Sequence, residues 1–204
     1  VLLLMDSLTR YAHAQREIAL AIGEPPAARG YPPSVFAGIP ELVERSGNGE
    51  SGQGTITAVY TVLTEEDDTD DPIAEAARAI LDGHIVLSRR LAERGHFPAI
   101  DVERSMSRLH ERFATPGQWA AGVVLRSDLA LYREHEELLA LGAYTAGANP
   151  ALDRAIARRE AIMAFLRQEP LSRADMDSSR GALEALASMG TVERPEPVAD
   201  APAS

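Results

Sequence analysis

The sequence predicts an α/β domain followed by an all-helical domain. Residues 1–5 are aliphatic and end in a carboxylate at Asp6, a pattern typical of a parallel strand buried on both faces of a sheet. Apolar residues then recur at steps of three and four up to Gly23, as in a helix that Ser7 caps and Gly23 ends. A strand that leads directly into a helix is the repeating unit of α/β folds.

Four further segments before residue 115 have a predicted conformation. Residues 55–63 are rich in β-branched side chains and predict a second buried strand, and residues 84–88 predict a third. Residues 34–45 predict a short helix. Asp71 and Pro72 are typical of a helix cap followed by a proline in the first turn, and this helix should end near Gly83.

Beyond residue 115 the pattern becomes purely helical. Gly and Pro signals separate three stretches of helical periodicity: residues 118–142, 150–168 and 175–189. We therefore place the α/β domain at residues 1–115 and the helical domain at residues 116–190. The remaining residues, 191–204, combine prolines with small and acidic side chains, and we expect them to be disordered.

Composition excludes several classes of function. A formal net charge of −11 argues against binding to a phosphate backbone, so we expect no nucleic-acid partner. The chain has no cysteine, which excludes disulfides and thiolate metal sites and agrees with a reducing compartment. No apolar stretch approaches the roughly 20 residues that span a bilayer. We expect a cytoplasmic protein.

Three residues are candidates for chemistry, and each has a simpler alternative. Asp6 lies at the carboxyl end of a predicted strand, where α/β sheets bind ligands, although many such strands end in a polar residue for structural reasons. Arg108 could stabilise phosphate charge as an arginine finger, or be an ordinary surface arginine. Phe97 could stack on a base or pack in a core. The acidic residues 65–71 could bind a cation, but a solvated turn is the simpler interpretation.

Several segments in a fixed order together resemble one family. They are residues 6–12 (DSLTRYA), 14–18 (AQREI), 23–26 (GEPP), 30–36 (GYPPSVF), 80–89 (ILDGHIVLSR) and 98–101 (PAID). These segments are similar to the ATPase of flagellar and type III protein export, a relative of the catalytic subunits of rotary ATP synthases. The resemblance covers residues 1 to about 190. It implies the carboxyl-terminal part of a RecA-like P-loop ATPase domain, from its Walker B strand onward, followed by the family's helical domain.

The resemblance also implies roles for the three candidate residues. Asp6 would be the Walker B aspartate that orders the Mg²⁺ shell of bound ATP, largely through water. Phe97 would stack on the adenine ring, at a position where the family usually has tyrosine. Arg108 would be the finger that reaches into the next subunit's site, which makes the expected assembly a homohexameric ring with nucleotide at the subunit interfaces.

The implied function is ATP hydrolysis that powers protein export through the flagellar apparatus. The implied partners are the apparatus stalk and regulator proteins, export cargo and its chaperones, at the export gate on the inner face of the cytoplasmic membrane. Residues 141–144 and 150–156 correspond to the part that faces the stalk, although by themselves they indicate only a helix, a turn and a helix. The amino-acid sequence around Gly142-Ala143-Tyr144 and Leu152-Asp153 resembles the flagellar system more than the virulence injectisome.

One essential motif does not occur in these residues. No G-x-x-x-x-G-K-[ST] phosphate loop is present, and we expect it upstream of Val1, together with the glutamate that activates water. The chain by itself is therefore expected to be inactive. Two further hypotheses remain open: a rotary ATP synthase subunit, and a non-catalytic docking or scaffold module that retains only this half of the domain.

Overall fold

A computed structural model describes residues 1–50, 53–64 and 71–189 of the chain. Contacts divide the chain into two compact units, Val1–His84 and Ile85–Ser204. The acidic residues 65–70 and the tail that we expect to be disordered lie outside the described residues. The domain boundary at residue 115 stays a prediction. Contacts within the structure group residues 85–115 with the helices that follow them.

The first unit contains a three-stranded sheet and three helices. Strand β1 pairs in parallel with β3, with Leu2 opposite Thr57 and Met5 opposite Tyr60. Strand β2 is antiparallel to β3, which gives the order β1-β3-β2. The strands and helices of this unit are β1 (Leu2–Met5), α1 (Leu8–Ala21), α2 (Pro33–Val43), β2 (Gly47–Asn48), β3 (Thr55–Tyr60) and α3 (Pro72–Ile80). The predicted parallel pair is confirmed, whereas β2 falls in a glycine-rich segment for which the sequence analysis gave no strand.

Local signals set the ends of these helices as the sequence predicted. The Ser7 hydroxyl accepts a hydrogen bond from the Arg10 amide at 3.2 Å and caps α1. Gly23 ends that helix with φ at +89°, a conformation that glycine adopts without steric cost. The Asp71 carboxylate accepts from the amides of Ile73 and Ala74 and caps α3.

The prediction that β1 and β3 are buried is wrong for this structure. Leu2 is 63% exposed, Leu4 70% and Val59 52%. The reason is that the core of this unit forms between the helices, and the two strands pack against it mainly through Met5 and Tyr60. The core residues come from α1, α2, α3 and the loop before α2: Leu8, Ala12, Tyr31, Val35, Ile39, Val43, Ile73 and Ala77.

The second unit begins within β4, which is the third strand that the sequence predicted. This strand pairs with β5 in a separate two-stranded sheet instead of joining the first sheet. Strand β5 was not predicted, because charged and hydroxyl side chains interrupt its apolar residues. The remaining elements are β4 (Gly83–Leu87), α4 (Arg89–Glu93), β5 (Ile100–Ser107), α5 (His110–Phe113), α6 (Pro116–Glu134), α7 (Glu136–Ala140), α8 (Pro150–Leu166) and α9 (Met176–Ser188).

Helices α6, α8 and α9 pack together around Leu125, Leu129, Ile162 and Leu186. A buried ion pair joins them: Arg158 Nη1 donates to Asp128 Oδ2 at 2.9 Å. The same guanidinium donates to the carbonyl oxygens of Ala187 and Met189 at the end of α9. The three predicted helical stretches are confirmed, although the first divides into α6 and α7. Across residues 1–50, 53–64 and 71–189, no helix has both the length and the apolar composition to cross a membrane.

Candidate functional site

Asp6 directly follows β1, and its carboxylate is held by the neighbouring strand. Thr61 Oγ1, just after the end of β3, donates a hydrogen bond to Asp6 Oδ1 at 2.6 Å. The Asp6 side chain is exposed, so its oxygens are open to water and to a ligand. The sequence analysis missed Thr61, because the strand was predicted to continue to residue 63 and Thr61 was therefore not placed at a strand end.

Backbone hydrogen bonds fix this edge of the sheet. The Thr61 amide donates to the Met5 carbonyl at 3.0 Å, and the Leu8 amide donates to the Thr61 carbonyl at 2.9 Å. The Leu63 amide then donates to the Thr9 hydroxyl at 2.9 Å. Both strand ends are thereby tied to the first turn of α1. The site thus consists of a carboxylate and a hydroxyl placed at the start of a helix, by elements that share one hydrogen-bond network.

The donor set at Asp6 fits a hard cation that keeps most of its water. Mg²⁺ prefers oxygen ligands in octahedral geometry and is usually held by only one or two carboxylates, with waters and substrate phosphates completing the shell. An exposed carboxylate oriented by a hydroxyl matches that description. No cluster of three or more histidine, aspartate or glutamate side chains suited to binding a metal by itself occurs in the described parts of the chain.

Phe97 lies at the surface of the second unit. Its side chain is 54% exposed, while the preceding residue, His96, is buried. The Gln168 amide donates to the Phe97 carbonyl at 2.9 Å, which ties the Phe97 backbone to the end of α8. A ring with this exposure is not a core side chain, so the packing alternative from the sequence analysis does not describe it.

Arg108 is exposed in the turn that follows β5, whereas Phe97 precedes the same strand. Strand β5 has 8 residues and so spans roughly 26 Å at about 3.3 Å per residue. The two side chains therefore project from opposite ends of one strand. Within a single copy of this unit they do not meet at one site.

The loop between α7 and α8, over residues 141–149, is held by a compact set of hydrogen bonds. The Tyr144 hydroxyl lies 2.9 Å from Asp153 Oδ1, and it accepts from the Asn149 amide at 3.2 Å. The second oxygen of Asp153 accepts from the Gly147 amide at 2.9 Å. Burial and the contact with the Asp153 carboxylate raise the pKa of Tyr144. The segment that the resemblance places toward a stalk thus has one defined conformation.

A polar cleft opens between β5 and helices α4, α6 and α8. Arg133 is its central cation, with Nη2 at 2.7 Å from Glu103 Oε2 and 3.7 Å from Asp101 Oδ2. Burial raises the pKa of Glu103, and Arg133 opposes that shift. Burial also lowers the pKa of His96, with further lowering by Arg167 and Arg159. His96 was not among the candidates that the sequence analysis singled out.

Comparison with known proteins identifies the class to which these features belong. Residues 1–107 match the nucleotide-binding domain of the ATP synthase alpha/beta family, and residues 114–185 match the type III secretion EscN ATPase C-terminal domain. The chain therefore belongs to the ATP synthase alpha/beta family, in its branch of flagellar and type III secretion ATPases.

Individual relatives support the same assignment. The chain is 59% identical over 184 residues to the flagellum-specific ATP synthase of Salmonella typhimurium, covering 90% of this chain and 40% of that protein. It is 56% identical over 169 residues to a type 3 secretion system ATPase of Pseudomonas syringae, covering 83% of this chain and 37% of that protein. The chain thus spans less than half the length of these relatives.

Solved structures agree with the fold. The assembled EscN ATPase of the enteropathogenic E. coli type III secretion system superposes with a TM-score of 0.86 at 44% identity, over 92% of this chain and 45% of that one. EscN in complex with its central stalk EscO gives a TM-score of 0.80 at 42% identity, over 92% and 44% of the two chains. The expectation of a RecA-like ATPase core followed by a helical domain is confirmed.

Proposed function

We propose that the complete protein containing this chain hydrolyses ATP with Mg²⁺ and so powers protein export through the flagellar type III apparatus. The observation that carries this proposal is the Asp6 carboxylate at the end of a parallel strand, oriented by Thr61 and adjacent to a helix start. This is the arrangement that positions a cation beside phosphate groups in α/β nucleotide sites. The similarity to a flagellum-specific ATP synthase supplies the biological context.

Bound magnesium would neutralise phosphate charge and hold the nucleotide in line for attack by water. The task of Asp6 is to hold the water shell of that ion. Thr61 keeps the Asp6 carboxylate in one orientation, which matters because small displacements of a positioning group cost large factors in rate. Phe97 presents an exposed apolar face on which an adenine ring can stack, without the hydroxyl of the more usual tyrosine.

We assign Arg108 to the site of a neighbouring subunit in a homohexameric ring. Its position roughly 26 Å from the Phe97 end of β5 supports this assignment, because one copy cannot bring both groups to the same nucleotide. An arginine supplied in trans stabilises charge that develops on the transferred phosphoryl group. The structure of the assembled EscN ATPase, which superposes on this chain, supports an assembly of several subunits.

The phosphate-binding residues must come from another part of the complete protein. All 20 basic residues of this chain are arginines, so it has no lysine to contact the β- and γ-phosphates of ATP, and it lacks a phosphate-loop motif. The exposed leucines of β1 suit a strand that the missing half of the nucleotide-binding domain covers. The 204-residue chain alone is accordingly inactive under this proposal.

A direct comparison of two proteins tests the proposal. ATP hydrolysis with Mg²⁺ would be measured for the 204-residue chain and for a version extended upstream to include the phosphate loop, at equal and high concentration. We expect activity only in the extended protein, abolished by Asp6→Asn and retained in Arg112→Gln, a matched change of an exposed residue. Activity in the short chain, or full activity in the Asp6→Asn protein, would contradict the proposal. An extended protein that folds but never hydrolyses ATP would favour the scaffold hypothesis.

The flagellar assignment rests on a small difference in similarity. Identity is 59% to the flagellar relative and 56% to the injectisome relative, so the injectisome remains the second candidate. A rotary ATP synthase subunit fits less well, since a synthase subunit from Nanoarchaeum equitans is only 25% identical. Under the flagellar assignment the partners are the stalk, regulators, cargo and chaperones, at the cytoplasmic face of the membrane. Restoration of swimming in a strain that lacks the flagellar ATPase separates the two systems.

A further inference from the structure

The cleft beside β5 contains two buried nitrogen atoms without a partner. Its volume is about 70 Å³, enough for several water molecules and hence for a small polyatomic ion. His96 is 3% exposed, and its Nδ1 makes no hydrogen bond with any described residue. Arg159 Nη1 is likewise buried and has no acceptor in the described parts of the chain. Buried polar atoms normally have partners, so this pair needs an explanation.

The acidic side chains of the cleft do not satisfy Arg159. Asp101 and Glu103 are engaged by Arg133, and Glu136 lies 3.8 Å from Arg94. The Arg159 guanidinium instead lies over the Tyr132 ring, with Cζ 4.7 Å from the ring centre, and this cation–π contact restrains its position. Arg159, which lines the cleft, thus has one buried donor nitrogen that no described residue uses. A guanidinium in that state calls for an oxygen acceptor.

We propose that this cleft binds one phosphate-type oxyanion, which accepts a hydrogen bond from Arg159 Nη1 and another from His96 Nδ1. The Arg159 guanidinium can only donate hydrogen bonds, and so can a ring nitrogen of His96 that carries a proton. Inorganic phosphate offers these donors acceptor oxygens and a negative charge. Burial, Arg167 and Arg159 all lower the pKa of His96, and an anion bound beside the ring would oppose that lowering. The proposal uses neither Asp6 nor Thr61 and does not depend on the proposed ATPase activity.

The test measures binding of inorganic phosphate to the 204-residue chain by titration calorimetry, at constant ionic strength and with chloride as the reference anion. We expect saturable binding by the unchanged chain. Arg159→Gln keeps most of the side-chain volume but removes the charge, and should weaken binding about tenfold or more. Arg154→Gln, an exposed change on the same helix, is the matched control and should leave binding unchanged.

A second readout follows His96 directly. In the unchanged chain, the ring nitrogen signals of His96 should move on addition of phosphate, and the pKa of His96 should rise because the bound anion favours the charged ring. This measurement needs no variant, so it decides the question even if Arg159→Gln fails to fold. Methyl phosphate added in a parallel titration distinguishes free phosphate from a phosphate monoester group as the ligand.

The proposal is overturned by any of three results. Phosphate binding no stronger than that of chloride would mean that the cleft contains only water. Equal affinity of the unchanged and Arg159→Gln chains would place the bound anion elsewhere. Signals of His96 that do not respond while phosphate binds would exclude the His96 contact.

Discussion

At the scale of single residues, the hydrogen bond from Thr61 to Asp6 makes a specific prediction. Thr61→Val in the complete protein keeps the side-chain shape but removes the hydroxyl that orients the carboxylate. Partners that orient a metal-binding carboxylate typically contribute a factor of 10 to 100 in metal affinity or activity, so half-maximal hydrolysis should need about tenfold more Mg²⁺. Thr57→Val, an exposed change within β3, is the matched control. An unchanged Mg²⁺ requirement in Thr61→Val would show that this hydrogen bond does not act in the site.

His96 gives a prediction for stability against pH. Burial lowers the pKa of His96 in the folded chain below its ordinary value of 6.5. The unfolded chain therefore binds the proton first as the pH falls through about 6.5, and the free energy of unfolding must decrease below that pH. His96→Gln should flatten this decrease, which begins as the pH falls through about 6.5. Urea denaturation at several pH values measures the free energy of unfolding, with His110→Gln as the control. If the free energy of unfolding of His96→Gln falls with pH as steeply as that of the unchanged chain, other groups cause the pH dependence.

The sequence identified Asp6, Phe97 and Arg108 as candidates but none of their surroundings. Asp6 could be identified from the sequence because an aliphatic run that ends in an acidic residue is a local pattern. Thr61 was missed because its importance depends on pairing between strands 55 residues apart in sequence, which no local pattern shows. The cleft at His96 was missed for the same reason, since its lining comes from one strand and four helices.

At the scale of secondary-structure elements, one arginine joins the three carboxyl-terminal helices. Arg158→Met would leave the buried Asp128 carboxylate and two carbonyl groups of α9 without their donor. Removal of one partner from a buried pair typically costs about 3–5 kcal/mol of the free energy of unfolding. We expect a loss of that size in urea denaturation of the second unit, because water cannot replace the donor.

The matched control for that experiment is Arg180→Gln in α9. Arg180 lies 3.4 Å from Asp177 with both side chains exposed, and such surface pairs contribute about 0–1 kcal/mol. A loss in Arg158→Met no larger than in Arg180→Gln would mean that hydrophobic packing alone holds the three helices together.

The helices themselves were predictable because their ends have strong local signals. The Thr115 hydroxyl and the Gln118 side chain form a reciprocal capping box at the start of α6, and the Asn149 side chain caps α8. Strand β5 carries no such signal. Its acidic residues Asp101 and Glu103 line the polar cleft on one side, and a site of this kind disrupts the alternation from which strands are recognised.

At the scale of the whole molecule, the proposed ring leads to a mixing experiment with the complete protein. Asp6→Asn and Arg108→Ala subunits should each be inactive alone. Mixed in equal amounts and reassembled, they should recover a clear fraction of the activity, because some interfaces then combine an intact Asp6 from one subunit with an intact Arg108 from its neighbour. A mixture of Arg112→Gln and Asp6→Asn subunits is the reference, because it shows how much activity remains when active subunits are diluted with inactive Asp6→Asn subunits. No recovery in the mixed rings would contradict action of Arg108 across the interface.

The open side of β1 affects how any such assembly must be measured. Within the described residues this strand pairs on one side only, with β3, and its leucines are exposed. Unpaired strand edges with apolar side chains are templates for pairing between chains. As its concentration rises, the 204-residue chain should therefore associate without a fixed number of subunits, which sedimentation alone could mistake for formation of the ring. Only a species of one defined mass, which persists on dilution and disappears on mutation at the subunit interface, counts as the ring.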